Sequence, residues 1–398
     1  MKTKLKLGLF GYGIVGQGLH DVLNSNSGLR AEIARICVKD RSKKRRISMD
    51  YFTYDKNDLL NDPDINLIVE LIDDADEAFS IVTTAMKKGK NVVTANKKMV
   101  AEHLKELVQL QEETNTSFLY EASTCGSIPI IRNLEEYYDN EMLYSVRGIF
   151  NGSSNYILSK MFNEGLDYAD VLKEAQELGY AETDPSLDVD GIDAKFKLII
   201  ITLHAYGLFI DPKDVFTFGI SNISNYDINY AREKGFKIKL VPTAIKLNDT
   251  DIGMHVIPRF ISNGKFLYNV DNEYNGVIAE AAFFDKQFFY GKGAGGHPTG
   301  SAVLSDISAC TYDYKYEYKK KNQQTIKNCS TDLLLEIYLR YHNKSDIKDF
   351  NFKSVSEYYY GSKHNFLIGV INLKDLIKIQ DKLKSRDIFI VNTGRKFD

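Results

Sequence analysis

Short apolar runs and amphipathic stretches alternate along the first third of the chain. Each run is followed by a stretch in which apolar residues recur every three or four positions, the period of a helix that packs on one face. The predicted strands are residues 4–10, 33–38, 66–71, 91–93 and 117–121, and the predicted helices between them include 14–24 and 75–88. Strands and helices in this alternation predict a parallel sheet covered by helices, the α/β class.

The pattern changes in the middle of the chain. Residues 144–150 alternate as a strand does, and the turn at residues 151–154 caps a predicted helix over 155–163 that Gly165 ends. A helix over residues 168–178 comes next. A turn-rich stretch with many carboxylates then leads into an apolar helix that begins near Asp193.

The end of the chain has a composition of its own. Beyond Asp313 it is charged and rich in tyrosine, and residues 315–327 predict a surface connection. Strands over 335–341 and 366–371, a helix from Asn372 to about residue 384, and a last strand over 388–391 follow. These elements predict a small α+β module.

Composition and charge exclude several classes of function. The chain has 398 residues, and its formal net charge of −3 suggests neither nucleic acid nor an anionic membrane as a partner. No apolar run is long enough to span a membrane, and the N-terminus enters a strand pattern at once, so we expect a cytoplasmic protein acting on small molecules. The four cysteines form no CxxC pair and the seven histidines no HExxH motif, so zinc is not expected.

A glycine-rich turn follows the first strand and opens the first helix. It reads Gly11-Tyr12-Gly13-Ile14-Val15-Gly16. In this context the first glycine makes the turn, the second lets the backbone approach a pyrophosphate, and the third lets the helix pack on the strand. The sequence therefore predicts a dinucleotide site; a glycine-rich turn without a ligand is the alternative.

Residues at the ends of two later strands bear on which cofactor binds. Lys39 and the basic loop 41–46 favour the 2′-phosphate of NADP, whereas Asp40 keeps NAD as the alternative because an acidic residue there binds the ribose hydroxyls. Thr94 and Lys97 follow the strand at 91–93. In a parallel sheet ligands bind at that end, so we expect both residues near the reactive end of the cofactor.

The stretch 174–203 holds the densest group of candidate catalytic residues. Carboxylates that could together hold a substrate ammonium are Glu182, Asp184, Asp188, Asp190 and Asp193, and Lys197 shares a helical face with Asp193. The alternative is structural: Asp190 would cap the helix, and Asp193 with Lys197 would be an ordinary helical ion pair. Cys125 follows a strand and is a weaker candidate for a nucleophile, because no base lies near it in the sequence.

Several long motifs give this chain a strong resemblance to the homoserine dehydrogenase family. They span about residues 5–310 and include VELI, VVTANKKMVA, YEAS with GSIPII, GIFNGSSNYILSKM, EAQELGYAETDPSLDVDGIDAKFKL, a stretch ending in GFKIKL, and GKGAGGHPTGSAVLSDI. The resemblance implies interconversion of L-homoserine and L-aspartate 4-semialdehyde with NAD(P), in threonine, methionine and isoleucine biosynthesis.

The resemblance also implies roles for single residues. Lys97 and Lys197 match the catalytic lysines. We expect both to face the same substrate oxygen, with Lys197 as the proton donor because it shares a helical face with Asp193, and with Lys97 as the group that orients and polarises. The substrate-binding positions are Gly152, Ser153, Tyr180, Glu182, Asp188 and Asp193. The cofactor positions are Gly11, Gly13, Ile14, Val15, Gly16, Lys39, Thr94, Lys97 and Gly295. The positions matching a site for Na⁺ or K⁺ are Glu121, Thr124, Gly126 and Ile128.

Together these features predict an α/β protein of three parts. They are a Rossmann-type nucleotide-binding domain over residues 1–127 completed by about 290–314, an α+β substrate and dimerisation domain over 128–289, and a C-terminal α+β module over 330–398. The module resembles a shortened ACT domain. It predicts either a site for an amino-acid effector or a purely structural role, and we expect a homodimer or a dimer of dimers.

Two departures from the family pattern lie on the cofactor side. Asp73 and Asp74 replace a glycine pair after VELI, and residues 124–127 replace a glycine-rich turn. Two other functions compete with homoserine dehydrogenase. One is an aspartate-semialdehyde-type dehydrogenase that uses Cys125 as a thioester nucleophile, and the other is a nicotinamide nucleotide sensor without catalysis.

Overall fold

The chain divides into two compact units. The structure, a computed structural model, describes residues 5–25, 28–140, 142–323, 325, 327–383 and 385–395. The first unit comprises Met1–Asp139 and Lys292–Lys320, and the second comprises Asn140–Gly291 and Lys321–Asp398. Residues 4 and 384, which bound a predicted strand and a predicted helix, lie outside the described residues, as do residues 1–3 and 396–398 of the predicted domains.

Strands and helices are numbered here in chain order. The strands are β1 (Leu5–Phe10), β2 (Ala31–Cys37), β3 (Phe52–Thr53), β4 (Leu67–Glu70), β5 (Asn91–Thr94), β6 (Phe118–Leu119), β7 (Leu143–Ile149), β8 (Phe216–Thr217), β9 (Phe236–Lys246), β10 (Asp251–Ser262), β11 (Tyr274–Ala281), β12 (Asp285–Lys292), β13 (Asn328–Ser330), β14 (Leu334–Tyr341), β15 (Phe352–Tyr360), β16 (Asn365–Asn372) and β17 (Phe389–Asn392). The helices are α1 (Ile14–Asn24), α2 (Asn57–Leu60), α3 (Ala75–Lys87), α4 (Lys97–Thr114), α5 (Ile130–Arg132), α6 (Gly152–Glu164), α7 (Tyr168–Glu177), α8 (Ser186–Val189), α9 (Ile192–Tyr206), α10 (Asn225–Glu233), α11 (Gly296–Cys310) and α12 (Leu373–Leu383).

The first unit is built on a parallel sheet. Its strands, as far as the described residues go, follow the order β3-β2-β1-β4-β5-β6. β4 is buried along its whole length, as expected for a strand with helices on both faces. The order, with β1 in the middle and the chain crossing to either side of it, confirms the predicted Rossmann-type sheet.

A late segment of the chain completes this unit. Helix α11 packs on α1 so closely that a Cβ on Gly18 would lie 2.0 Å from the carbonyl oxygen of Gly296. A Cβ on Gly300 would lie 2.6 Å from the amide nitrogen of Leu19. Only glycines allow the two helix backbones to approach in this way.

The predicted surface connection over 315–327 is wrong in its first part. Tyr316 and Tyr318 are buried, and Tyr316 packs edge-on against Tyr120, with the ring centres 5.0 Å apart. Alternation of tyrosine with charged residues is typical of an extended segment that buries one face. Here the buried face belongs to the first unit.

The second unit is built on a mixed sheet. Among the described residues its strands follow the order β12-β11-β7-β9-β10-β17-β14-β16-β15, and β8 and β13 also pair with β10. The long antiparallel hairpin of β9 and β10 was not predicted. Pro242 and Pro258 lie inside its strands, opposite Val256 and Leu240, and proline in the middle of an apolar run argues against a strand.

Helices α6 and α9 carry the polar residues of the predicted substrate site. Asn151 caps α6 by accepting a hydrogen bond from the Ser154 N–H, and Gly165 ends this helix in a left-handed conformation, as predicted. Helix α9 is buried over nearly its whole length. Within the described ranges no helix combines the length and apolar composition needed to cross a bilayer.

The C-terminal strands share the sheet and the core of the second unit. β17 pairs with β10 at Asn392 opposite Arg259, and Phe216 and Ile257 lie in one hydrophobic cluster with side chains of β14, β16 and α12. The predicted strands 335–341, 366–371 and 388–391 are present, and β15 was missed. A single 3₁₀ turn at Lys344–Ile347 stands between β14 and β15.

A buried ion pair also ties the C-terminal strands to the rest of this unit. The Arg340 guanidinium on β14 donates to the Asp227 carboxylate on α10 at 3.0 Å, and both side chains are almost fully buried. Tyr338 donates to the same carboxylate at 3.1 Å. Removal of Arg340 would leave the Asp227 carboxylate buried and uncompensated. Arg340 itself has a second partner, the Asp387 carboxylate at 3.2 Å.

Candidate active site

The glycine-rich turn has the geometry that a pyrophosphate requires. Gly11 has φ +90°, and a Cβ there would lie 2.5 Å from the carbonyl oxygen of Leu71. A Cβ on Gly13 would meet no described atom within 4 Å, so this glycine faces open space. Gly13 is also the N-cap of α1, where no described side chain caps the free N–H groups. An anion placed there would receive these N–H groups and the positive end of the helix dipole.

The other predicted glycines support the same turn. A Cβ on Gly16 would lie 2.5 Å from the carbonyl oxygen of Gly11, so this glycine lets α1 approach β1. Gly295, at φ +117°, is the N-cap of α11, and a Cβ on its neighbour Gly296 would lie 2.9 Å from the carbonyl oxygen of Ile14. The structure therefore places Gly295 beside the turn, and half-buried Val15 lies within it.

The residues that follow β2 are held by local hydrogen bonds. The Asp40 carboxylate accepts from the Ser42 N–H at 2.8 Å and its hydroxyl at 2.7 Å, which lowers the pKa of Asp40. The Arg45 guanidinium donates to the Asp40 carbonyl at 2.6 Å and lies over the Phe52 ring. Lys39 is exposed, and its ammonium lies 3.3 Å from the Asp74 carboxylate. One of the departures from the family pattern therefore contacts the lysine predicted to select the cofactor.

A buried carboxyl group organises the ends of β4 and β5. Glu70 accepts hydrogen bonds from the Thr94 hydroxyl and from the Ile72 N–H at 2.7 Å. Burial raises the pKa of Glu70 to about 7, against the opposing effect of these bonds. Sequence reasoning missed this role, although an acidic residue inside an otherwise apolar strand was a visible signal.

Asn96 extends this network to Lys97. Its amide donates to the Ile72 carbonyl at 3.0 Å, and its side-chain oxygen caps α4 by accepting from the Met99 N–H at 2.9 Å. Lys97 is the first residue of α4 and is half-buried. The predicted position of Lys97 after β5 is therefore fixed by hydrogen bonds on both sides.

Lys197 is the best-defined functional group of the second unit. Its side chain is 9% exposed, and its ammonium lies 2.8 Å from the Asp193 carboxylate and 2.7 Å from the Phe150 carbonyl oxygen. A lysine ammonium has three N–H donors. The third has no partner among the described residues and is free to meet a substrate oxygen.

Asn151 joins two of the predicted carboxylates. Its amide donates to Asp188 at 2.6 Å and to Asp193 at 2.9 Å, while its side-chain oxygen caps α6. The structure therefore brings Asp188, Asp193 and Lys197 together around one asparagine. From the sequence, Asn151 was predicted only to belong to a turn. No sequence pattern indicated that the Phe150 carbonyl accepts a hydrogen bond from Lys197.

The remaining substrate-site candidates lie along the start of α6 and the loop before α8. The Ser153 hydroxyl donates to the Tyr180 carbonyl at 2.5 Å, and the Tyr180 ring is 38% exposed. A Cβ on Gly152 would lie 2.6 Å from the carbonyl oxygen of Glu273, so this position requires glycine. Glu182 is exposed, and its carbonyl accepts from Gln176 at 2.9 Å.

The structural alternative, with Asp190 as the helix cap and Asp193 with Lys197 as an ordinary ion pair, is wrong about the cap. The N-cap of α9 is Gly191 at φ +80°, and the Asp190 carboxylate instead accepts from the Ser221 hydroxyl. The other half holds, since Asp193 and Lys197 do form a pair four residues apart. Because that pair is buried, it differs from an ordinary surface pair of this spacing.

The residues matched to a cation site have internal partners. The Glu121 carboxylate accepts from the Ile131 N–H at 2.9 Å and the Arg132 N–H at 2.8 Å, and burial raises its pKa to about 8. The Glu121 carbonyl accepts from the Thr124 hydroxyl at 3.0 Å, and the Ile128 carbonyl accepts from the Ile130 N–H at 2.9 Å. No cluster of three or more His, Cys, Asp or Glu side chains suited to a metal occurs in the described part of the chain.

Comparison with known proteins identifies one family. The family model described as homoserine dehydrogenase matches residues 129–308, and the model of its NAD-binding domain matches residues 11–121. A homoserine dehydrogenase from Bacillus subtilis is 33% identical over 87% of this chain and 83% of its own. A crystal structure of a homoserine dehydrogenase from Thiobacillus denitrificans matches with a TM-score of 0.86 at 29% identity, covering 98% of both chains. A hyperthermophilic archaeal homoserine dehydrogenase in complex with NADPH matches with a TM-score of 0.67 at 26% identity, covering 79% of this chain and all of that one.

Proposed function

The chain belongs to the homoserine dehydrogenase family, and from that premise we propose how its own residues serve the reaction. It is an NAD(P)-dependent oxidoreductase that interconverts L-homoserine and L-aspartate 4-semialdehyde, in the biosynthesis of threonine, methionine and isoleucine. The family match does not favour the two competing functions. Cys125, the nucleophile that one of them needs, is fully buried.

Lys197 is the group that we propose as the proton donor. Two of its three N–H groups are held by Asp193 and by the Phe150 carbonyl, so the ammonium is fixed in position before a substrate arrives. A fixed donor loses less entropy when it meets a forming alkoxide than a mobile surface lysine would. The observation that carries this assignment is the buried Lys197–Asp193 pair with its remaining N–H.

Lys97 has a second role in the proposal. It stands at the N-terminus of α4 after the hydrogen-bonded ends of β4 and β5. We assign it to orienting the substrate oxygen and polarising it, with Glu70, Thr94 and Asn96 positioning the backbone that carries it. These three are positioning residues, because they act through the backbone.

The substrate site that we propose consists of residues on α6, α8, α9 and the loop between α7 and α8. They are Gly152, Ser153, Tyr180, Glu182, Asp188 and Asp193. Asp188 and Asp193 share the amide of Asn151, so one neutral donor holds both carboxylates near each other. Two carboxylates held in this way attract an ammonium, which is the group that homoserine presents.

For the cofactor we propose NADPH with NADH as the weaker alternative. The bound nicotinamide supplies the hydride in the reducing direction. Gly11, Gly13, Ile14, Val15 and Gly16 would hold its pyrophosphate, and Gly295 would lie against them. The basic residues after β2 favour a 2′-phosphate, although Asp74 competes for Lys39.

A monovalent cation at Glu121, Thr124, Gly126 and Ile128 is a weaker part of the proposal. Their backbone carbonyls are of the hard oxygen type that such ions prefer. The Glu121 carbonyl already accepts from both the hydroxyl and the N–H of Thr124, so a cation would have to displace one of these bonds. The Ile128 carbonyl accepts from the Ile130 N–H and could offer its second lone pair. No step of the reaction depends on the cation.

The C-terminal strands follow the order β17-β14-β16-β15, and we propose that they form a shortened ACT-like module. Each strand and helix of that module has a counterpart here except the first helix, which is the 3₁₀ turn before β15. The buried Arg340–Asp227 pair and the shared hydrophobic cluster favour a structural role over effector binding. We further propose that the protein is cytoplasmic and forms a homodimer or a dimer of dimers.

One assay tests the reaction and the substrate site together. Oxidation of L-homoserine is followed by absorbance of the reduced nicotinamide, with NADP⁺ and with NAD⁺. Asp188→Asn should raise the KM for homoserine by roughly tenfold or more, the effect of losing one hydrogen-bonded ion pair. The control is Asp184→Asn, because Asp184 is an exposed carboxylate of the same loop that contacts Ser186. Failure to oxidise homoserine with either cofactor would contradict the function, and equal KM values in the two variants would contradict the role of Asp188.

A further inference from the structure

A cavity of about 420 Å³ in the second unit has charged lining side chains that are mostly positive. It lies where β7, β9 and β10 meet the C-terminal strands, and none of its lining residues is assigned to the dehydrogenase reaction. Its charged lining residues are Arg147, Lys246, Arg259, Lys353, Arg395 and, as the one acidic side chain among those described, Asp332. The volume is within the usual range of small-molecule pockets.

Three of these cations have counter-ions. Arg147 lies 2.9 Å from Glu280, and Lys246 lies 2.8 Å from Asp249. Arg395 lies 3.0 Å from Glu336. Of the two remaining lining cations, Lys353 is exposed, and Arg259 is half-buried without a described counter-ion.

Arg259 is a guanidinium without an acidic partner. It donates to the Gly394 carbonyl at 3.2 Å, and no carboxylate of the described chain lies within ion-pair distance of it. Burial and the like charge of Arg147 lower the pKa of Arg259 to about 10, and Glu280 offsets this only partly. An uncompensated charge in such a place is unfavourable unless an anion joins it.

His255 is a second and independent sign of a ligand. It lines the cavity with 3% of its surface exposed, and its Nδ1 has no hydrogen-bond partner among the described residues. Burial and the charge of Arg259 lower the pKa of His255 to about 3, so the ring is neutral at pH 7 and can still donate one N–H. Thr243 on β9 stands opposite both Arg147 and His255, which places all three on one face of the sheet.

We propose that this cavity binds a small organic oxyanion, with a carboxylate or phosphate group held by Arg147, Arg259 and His255. Two guanidinium groups match the paired oxygens of such a head group, and the neutral imidazole adds a donor without adding charge. Because no described carboxylate pairs with Arg259, the site favours an anion over neutral and cationic ligands. The rest of the cavity accommodates the organic part, which inorganic phosphate alone would leave unfilled.

Thermal denaturation of the full-length protein with two probe anions tests the inference. Succinate represents a carboxylate head group and inorganic phosphate represents a phosphate head group, each titrated at constant ionic strength with chloride as the reference salt. A ligand at ten times its dissociation constant should raise the Tm by roughly 3–6 °C. Stabilisation by succinate alone assigns a carboxylate ligand, stabilisation by phosphate alone assigns a phosphate ester, and stabilisation by both supports the shared oxyanion site.

Variants link the effect to the cavity. Arg259→Gln should weaken binding of the probe anion by at least about tenfold, because a charge-assisted contact is lost. His255→Leu should also weaken binding. Without ligand, Arg259→Gln should keep or raise the Tm, since it removes an uncompensated charge, whereas a merely structural arginine would lower it. Arg35→Gln, which removes the same charge from an exposed site on β2, is the matched control.

Two outcomes would overturn the proposal. One is a wild-type Tm that responds to succinate and phosphate no more than to chloride. The other is an equal response in wild type and Arg259→Gln, which would assign the effect to anions bound elsewhere.

Discussion

Replacing Lys197 separates its proposed catalytic role from its part in the fold. In Lys197→Met the methylene volume is kept, and the ammonium that joins Asp193 and the Phe150 carbonyl is lost. A general acid is worth roughly 10²- to 10⁴-fold in rate, so turnover should fall by that factor while cofactor affinity stays near wild type. Steady-state rates with homoserine and direct cofactor titration measure the two effects.

The same change has a predictable effect on stability. Asp193 is 3% exposed and would lose the ammonium that lies 2.8 Å from its carboxylate. Breaking a buried ion pair from one side costs about 3–5 kcal/mol. For a unit of this size that corresponds to a Tm lower by roughly 6–20 °C, so the rates must be measured well below the lower Tm.

Two further variants distinguish catalysis from folding. Lys197→Met combined with Asp193→Asn removes the buried negative charge as well, and it should recover much of the Tm without recovering turnover. Lys239→Met removes another buried lysine of the same unit, one that pairs with Asp271 at 2.9 Å and has no assigned role in the reaction. It should keep most of the wild-type turnover. Near wild-type turnover in Lys197→Met would refute the assignment and leave the proton to Lys97 or to water.

Three other predictions concern the first unit. Gly13→Ala should weaken cofactor binding with little change in Tm, because the new Cβ would face open space. Gly11→Ala should lower the Tm, because its Cβ would lie 2.5 Å from a backbone oxygen. Equal Tm values for the two variants would contradict this prediction. Lys39→Ala should raise the dissociation constant of NADP⁺ and leave that of NAD⁺ nearly unchanged. Asp74→Asn removes the carboxylate that pairs with Lys39 and should lower the dissociation constant of NADP⁺. Equal losses of affinity for both cofactors in Lys39→Ala would refute the assignment. The pKa of Glu70 is raised from 4.5 to about 7, so its stabilising contribution is complete below pH 4.5 and is lost as the pH rises through 7. It amounts to about 3 kcal/mol, and Glu70→Gln should flatten the fall in Tm between pH 5 and pH 8 by that share.

Local patterns predicted β1, β2, β4, β5 and β6 of the first unit and its helices α1 and α3, because each depends on neighbouring residues. A buried strand, a glycine turn and an amphipathic helix are all visible within one window, and β1 and α1 end within a residue of their predicted bounds. The long hairpin of β9 and β10 was missed because Pro242 and Pro258 break the local signal. The free-energy cost of these prolines is offset by pairing with strands that are distant in the sequence, and a short segment of sequence does not show such pairing.

The candidate site divides in the same way. The spacing of Asp193 and Lys197 fixed a shared helical face, so their contact was predictable from residue number alone. The hydrogen bonds from Asn151 to Asp188 and from Lys197 to a carbonyl join segments that are far apart in the chain. Local sequence patterns do not show which distant residues will form hydrogen bonds with each other. A backbone carbonyl is present in every residue, so no residue type indicates that it will bind a lysine.

The contact between α1 and α11 has a consequence for the order of synthesis. Gly18 leaves the ribosome early. Gly296, which packs against it, is made only after residues 140–291 of the second unit have been translated. At elongation rates of about 5 to 20 residues per second, the stretch from residue 139 to residue 320 takes roughly 10 to 40 s to translate. Throughout that interval the nascent nucleotide-binding sheet lacks the helix that covers α1, and its glycine surface is open to chaperones and to other nascent chains.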